Sequence, residues 1–234
     1  MQGNLIKLEN LIGHKFADIA LLERATTHTS WAYENHPGES DDLVRGYDNE
    51  SMEFLGDAIL GLLIAEQLFV RHPQSSEGDL TLMKHRLVST MTLAALAEKL
   101  ELGNYIRVGR GEEKTGGRRK QALLADALEA IIGAVFLDGG YTAARLFVKK
   151  IFSEELRSVT PEGSVDYKTM LQELLQAEKQ TAPRYNVVKT EGPPHARMFS
   201  VEAVWATGRA SGCGPSIKSA EMMAAAEALK MLNG

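Results

Sequence analysis

Asn49-Glu50-Ser51-Met52-Glu53-Phe54-Leu55-Gly56-Asp57-Ala58-Ile59-Leu60 places three acids, Glu50, Glu53 and Asp57, at intervals of three and four residues. On an α-helix that spacing stacks them on one face. Phe54, Leu55, Ile59, Leu60, Leu62, Leu63 and Ile64 make most of the remaining surface apolar, which predicts a buried helix. Carboxylates withdrawn from water and pointing the same way repel one another, so the arrangement calls for a compensating positive charge. A hard divalent cation, which prefers oxygen ligands, supplies it.

A second segment repeats the pattern. In Leu124-Ala125-Asp126-Ala127-Leu128-Glu129-Ala130-Ile131-Ile132-Gly133-Ala134 two acids stand three apart among small and apolar residues. One such pair is ordinarily the edge of an amphipathic helix meeting solvent. Two segments, each too apolar to carry a solvated face, favour a shared oxygen-rich pocket instead.

Outward from these segments the chain reads as follows. Leu5 to Ile12 and Ile19 to Thr26 form short amphipathic helices separated by Gly13, and a polar loop from His36 to Tyr47 leads into the acidic helix. That helix ends near Arg71-His72-Pro73. Ser76-Glu77-Gly78-Asp79 caps a further helix, which runs through Met83, Leu87, Leu93 and Leu100 with a bend near Ser89-Thr90. Lys84, His85 and Arg86 form a small basic group on it. Leu102 to Gly117 is a glycine-punctuated loop, and Lys114, Arg118, Arg119 and Lys120 make its end basic enough to hold a polyanion beside the second acidic helix. A helix from Tyr141 to about Arg157 closes the region. His28 and His36 lack a second histidine at helical spacing, so neither is expected to act directly.

Residues 159–164, polar and carrying Pro161 and Gly163, read as a linker between residues 1–158 and residues 165–234. Beyond it Tyr167 to Gln180 is helical. Tyr185–Lys189, Met198–Trp205 and Arg209 to about Cys213 alternate like strands, and Ser219 to Leu232 is an alanine-rich helix.

Composition bounds the answer without deciding it. The chain has 234 residues, 44% hydrophobic and 24% charged, as in an ordinary globular protein. Its single cysteine, Cys213, excludes an internal disulfide or a cysteine-based zinc site. The apolar run Ile59–Ile64 is too short for a membrane span, and the first residues lack a signal pattern, so a cytoplasmic protein without membrane contact is expected. The net charge of −5 divides as −6 over residues 1–164 and +1 over residues 165–234. A cation held by the acids would invert the local field, so the overall charge does not exclude a nucleic-acid partner.

Both halves resemble ribonuclease III, the double-strand-specific endoribonuclease. Asn49 to Asp57 resembles the family signature, Ala125 to Ala130 its second acidic helix, and Glu77-Gly78-Asp79 the motif between them. Tyr167-Lys168-Thr169-Met170-Leu171-Gln172-Glu173, Gly192-Pro193-Pro194-His195 and Lys218-Ser219-Ala220-Glu221 resemble a double-stranded RNA-binding domain. The resemblance implies an all-α endonuclease domain followed by a small α+β domain of order α-β-β-β-α. It also implies Mg2+-dependent hydrolysis of duplex RNA to 5′-phosphate and 3′-hydroxyl ends, with Mn2+ able to substitute, in a homodimer that processes ribosomal, messenger and transfer RNA transcripts. Residue by residue, Glu53, Asp126 and Glu129 would hold metal, and Asp57 with Glu129 would activate water. Glu50 and Glu77 are secondary candidates. Thr169, Gln172, Gln176, His195 and Lys218 would contact RNA. The chain departs from the pattern at Ser51-Met52, where the family has Arg-Leu, at Ile217, where it has a second lysine, and at Met222, where Gln is common. The absence of one phosphate-facing cation predicts weaker RNA affinity and a shallower salt dependence. Two other readings fit parts of the sequence: a non-cleaving RNA-binding protein, disfavoured because all four acids are present, and a hydrolase of small phosphate esters, which leaves residues 165–234 without a purpose.

Overall fold

Two long helices meeting backbone to backbone organise the first part of the chain. The computed structural model describes residues 2–161, 167–177, 179–193 and 197–233, and the chain divides into two units, Met1–Ser164 and Val165–Gly234.

In the first unit short helices lead up to the signature: α1 (Gln2–Ile12), α2 (Ile19–Ala25), α3 (Thr29–Asn35) and α4 (Asp41–Val44). The signature itself opens α5 (Glu50–Arg71). The bend expected near Ser89 is a full break. α6 (Glu77–Leu87) ends there, and Ser89 accepts from the Thr92 N–H to start α7 (Thr90–Lys99). The glycine-rich stretch is not plain loop, since it contains a short α8 (Arg110–Lys114) between two single turns of 3-10 helix.

The second acidic segment lies in α9 (Gln121–Ile151), which continues past the point where the sequence predicts a separate helix. Gly140 breaks its geometry at φ 70°, a left-handed value that glycine adopts without steric cost. α9 stops at Ile151, and a short α10 (Glu155–Ser158) follows instead of one helix reaching Arg157. Val159, the first residue of the expected linker, is buried in this unit's core. That core joins Leu8 and Ile12 of α1, Leu22 of α2, Leu60, Ile64 and Leu68 of α5, Leu93 of α7 and Leu128, Ile131 and Val135 of α9.

The expectation that α5 is buried all round is corrected. One side carries Met52, Leu60, Leu63, Ile64 and Leu68 into the core, while Phe54 (80% exposed), Leu62, Phe69 (71%) and Val70 face outward. Among the described residues no helix is long and apolar enough to cross a membrane.

The second unit runs α11 (Tyr167–Ala177), β1 (Arg184–Glu191), β2 (Met198–Trp205), β3 (Gly208–Gly214) and α12 (Ile217–Asn233). The strands form an antiparallel sheet in sequence order, with a bulge in β1 between Val187 and Lys189. Val201, Ala203 and Trp205 alternate inward on β2, as do Ala210, Gly212 and Gly214 on β3. The alanine-rich face of α12 lies on β3. A Cβ at Gly212 would stand 2.1 Å from the Ala224 nitrogen, so glycine is what lets helix and strand approach.

Candidate active site

The site is assembled by holding the start of α5 and pressing it against α9. Asp48 and Asn49, both buried, enter the helix. Asp48 Oδ1 accepts from the Glu50 N–H at 3.2 Å, and the Asn49 N–H donates to the Thr27 carbonyl at 2.9 Å. The Arg24 guanidinium donates to the carbonyls of Asp48 (2.9 Å) and Arg45 (3.0 Å) and to Ser51 Oγ (2.6 Å). Ser51, one of the departures from the family pattern, is therefore the acceptor of an arginine from another helix. Met52, the other, is a core residue.

Two glycines then decide how close the acids come. A Cβ on Gly56 would lie 1.8 Å from the Glu129 carbonyl oxygen, and one on Gly133 would lie 2.5 Å from the Met52 carbonyl oxygen. No side chain fits at either place. Gly56 sits between Glu53 and Asp57 in sequence, and Gly133 follows Glu129 by one turn, so this contact brings the two acidic segments face to face. Carboxylate oxygens of Glu53, Asp126 and Glu129 lie within 4.8 Å of one another, each residue half-buried. Neither the two glycines nor Arg24 is singled out by the spacing of the acids. The available signal is a glycine in step with the acids on each helix.

The electrostatics follow from this crowding. Burial, with the charges of Asp57, Glu53 and Asp126 beside it, pushes the Glu129 carboxyl up to about 8. Burial, reinforced by Asp126, Glu50 and Asp57, also raises Glu53. Asp126 is raised by burial and partly relieved by His28. Three oxygen-bearing groups that resist joint ionisation at this range could hold a divalent cation, whose charge would remove the repulsion that holds their protons.

Asp57 and Glu50 lie on the same stripe of α5 but are exposed, and their charges act on the cluster from its rim. Glu77 is placed elsewhere. It occupies the first turn of α6, where Ser76 and Asp79 form a reciprocal capping box, and it is not among the charges acting on the three carboxylates. His28 has a structural task, since its Nδ1 accepts from the Ser30 N–H at 3.2 Å and caps α3. His36 stacks on Tyr47 with ring centroids 3.8 Å apart.

The basic end of the glycine-rich loop is less available than its composition implies. Lys120 pairs with Glu112 at 2.6 Å and Arg118 with Glu113 at 2.5 Å. Arg107 is held by Glu23 of α2 (2.6 Å) and lies over the Trp31 ring of α3 at 4.3 Å, which pins the loop to both helices.

In the second unit Thr169, Gln172 and Gln176 share the exposed face of α11, opposite buried Leu171 and Leu175. Lys218 is exposed in the first turn of α12. Lys168, on the edge of α11, is tied to Glu221 at 2.6 Å and to the Tyr185 ring. His195 lies outside the described residues.

Residues 18–156 match the family model described as Ribonuclease-III-like, and residues 167–232 match that of the double-stranded RNA binding motif. The chain belongs to the ribonuclease III family. It is 44% identical over 229 residues to Ribonuclease 3 of Nitratidesulfovibrio vulgaris, covering 97% of this chain and 88% of that one. It is 46% identical over 232 residues to Ribonuclease 3 of Ectopseudomonas mendocina, covering 98% and 96%. Among solved structures it is similar to the nuclease domain of ribonuclease III from Campylobacter jejuni (37% identity, TM-score 0.57, 64% of this chain and 96% of that one), whose description concerns flexibility in the region involved in dimer formation. The protein is thus a double-strand-specific endoribonuclease, with a helical nuclease unit followed by an RNA-binding unit of order α-β-β-β-α. Enzymes of this family depend on metal, and the acid cluster is a set of ligands able to hold one.

Proposed function

We propose that Glu53, Asp126 and Glu129 hold Mg2+ and that duplex RNA is cut beside them, to 5′-phosphate and 3′-hydroxyl ends. The observation that carries this reading is the convergence of the three carboxylates within 4.8 Å. The bound cation supplies charge neutralisation at the phosphoryl group and a lowered water pKa. Mg2+ suits a site with three carboxylates because it retains several waters in its octahedral shell, and Mn2+ should replace it.

The chain's own residues do the rest. Asp57, exposed at the rim beside Glu129, orients the attacking water and with Glu129 accepts its proton. The water oxygen bonds to phosphorus as the bond from phosphorus to the 3′-oxygen breaks, and the departing oxygen takes a proton from solvent. Glu50 adds negative charge behind Glu53 and supports cation binding without touching the reacting atoms. Glu77, in the first turn of α6, is assigned the helix start and no part in the chemistry.

Cutting both strands of a duplex calls for two such sites related by a two-fold axis, hence a homodimer. The exposed Phe54, Leu62, Phe69 and Val70 on α5 form an apolar surface unusual for a monomer and continuous with the acid stripe. The region involved in dimer formation in the Campylobacter jejuni nuclease domain supports the same assembly.

The second unit would read A-form geometry through Thr169, Gln172 and Gln176 in the minor groove, His195, and Lys218 on a phosphate at the α12 N-terminus. The working boundaries remain a nuclease domain at 1–158, a linker at 159–164 and an RNA-binding domain at 165–234, with Val159 packed on the nuclease side. The substrates this reading implies are duplex segments of ribosomal, messenger and transfer RNA transcripts in the cytoplasm.

Incubation of long labelled double-stranded RNA with wild type and Glu129→Gln in Mg2+ tests the assignment. Wild type should release short duplexes, whereas the variant should bind without cutting. Cutting by the variant at the wild-type rate would remove Glu129 from the site.

A further inference from the structure

The acid stripe on α5 does not end at Asp57. Continuing by four residues, the next position on the same face is Gly61, one helical turn or about 6 Å further along the axis. Over that glycine lies a cation from another helix. A Cβ built on Gly61 would meet Lys84 Nζ at 3.5 Å and Lys84 Cε at 3.6 Å. Lys84 projects from the last turn of α6, half-buried, so its stem rests on α5 where a larger residue at 61 would crowd it. Among the described residues its ammonium makes no ion pair or hydrogen bond. That separates it from Arg118 and Lys120, whose charges are already matched by Glu113 and Glu112.

A half-buried lysine whose ammonium has no partner, held over the next position of the acid stripe on α5, lacks its counter-charge in the free protein. The three clustered acids are not that counter-charge, since Lys84 is absent from the groups acting on them. Its place along the stripe is one helical turn past Asp57, the residue assigned to the attacking water, so a strand running along α5 from the cluster would bring a phosphate beyond the cut one toward its amine. We propose that Lys84 binds the backbone phosphate next to the one being cut and so fixes which phosphodiester lies over the carboxylates. Favourable placement of a cation in the last turn of α6 explains why lysine is tolerated there, but not why its amine is carried over Gly61. The inference rests on the carboxylate cluster being the cleavage centre.

The test compares Lys84→Gln, Lys84→Arg and Glu129→Gln in the full-length protein, on a duplex with one defined cut. Lys84→Gln should lower kcat/KM about tenfold, the effect of removing one charge-assisted hydrogen bond. Its binding, measured with Ca2+ in place of Mg2+ to prevent turnover, should show a smaller salt slope, by roughly 0.9 for the one phosphate no longer neutralised. Lys84→Arg should restore both, which a packing role would not require. In wild type, an uncharged methylphosphonate at the phosphate flanking the cut should slow cleavage, and Lys84→Gln should be indifferent to it. This substitution on the RNA keeps the proposal open to refutation even if the glutamine variant folds poorly. An unaltered salt slope in Lys84→Gln, or undiminished cleavage of the methylphosphonate duplex by wild type, would overturn it. If Glu129→Gln is inactive while Lys84→Gln behaves as wild type, only the role of Lys84 falls. If Glu129→Gln still cuts, the location of the cleavage centre falls first.

Discussion

The contact between α5 and α9 and the contact between α12 and β3 solve the same steric problem for opposite ends. In each, glycine lets two backbones approach so closely that no side chain could intervene: Gly56 and Gly133 in the nuclease unit, Gly212 and Gly214 in the RNA-binding unit. In the first, the close approach carries charged groups inward, and Glu53, Asp126 and Glu129 have their carboxyls raised by burial and mutual repulsion. In the second only apolar side chains are brought together, alanines and leucines around Trp205, while Lys218, Thr169, Gln172 and Gln176 stay in solvent. On the proposed reading, chemistry uses charge withdrawn from water and ready for a cation. Recognition of a polyanion uses charge left in water, where releasing counterions provides the affinity.

The sharpest way to break the comparison is at the glycines. Gly56→Ala forces α5 and α9 apart at the Glu129 carbonyl, so the two acid pairs separate. Cleavage should be abolished and stability should fall by about 3 kcal/mol, at the upper end for overpacking, as read by denaturant titration. Retention of wild-type activity would mean that the carboxylates need not converge.

Glu129→Gln should come next, with cleavage slowed roughly a thousandfold and RNA binding retained. It should also change the response to pH. In the folded, metal-free protein this carboxyl keeps its proton up to about pH 8, whereas in the unfolded chain it ionises near its ordinary value. The associated stability is complete below the unfolded value and is lost as pH rises through about 8. The metal-free variant should therefore melt at a higher temperature than wild type at about pH 8, by differential scanning calorimetry, and the difference should shrink toward about pH 4. Added Mg2+ should stabilise wild type more than the variant.

Gly212→Ala should unfold the second unit's helix–sheet contact and weaken RNA binding while leaving the nuclease core's melting transition in place. Low-salt assays with saturating RNA should then recover cleavage. The smallest effect expected is that of Lys218→Gln: affinity reduced a few-fold, uniformly across duplex sequences, with the salt slope smaller by roughly 0.9.

Much of this is legible in the residue order. The three-and-four spacing of Glu50, Glu53 and Asp57 places the acids on one face, and period-two alternation places Val201, Ala203 and Trp205 inward. Ser89 reads as a bend in sequence and is a helix break with its own cap. What escapes is whatever depends on a partner surface. Phe54, Leu62, Phe69 and Val70 look like core in sequence yet are exposed, as the dimer proposed above would require, since the centre of an interface has core-like composition. The pairing of Arg118 and Lys120 with Glu113 and Glu112 depends on a turn at Gly116, whose φ of 74° folds a basic run back onto an acidic one. Gly56 is visible as a letter of the signature, but its meaning resides in the carbonyl of residue 129, which no local pattern reveals.

The convergence of the carboxylates is tested most directly by anomalous diffraction from crystals soaked in Mn2+. The account predicts a manganese peak within ordinary coordination distance of oxygens from Glu53, Asp126 and Glu129. A saturated crystal with no peak among those three side chains, or with its strongest peak bound by other residues, would contradict it.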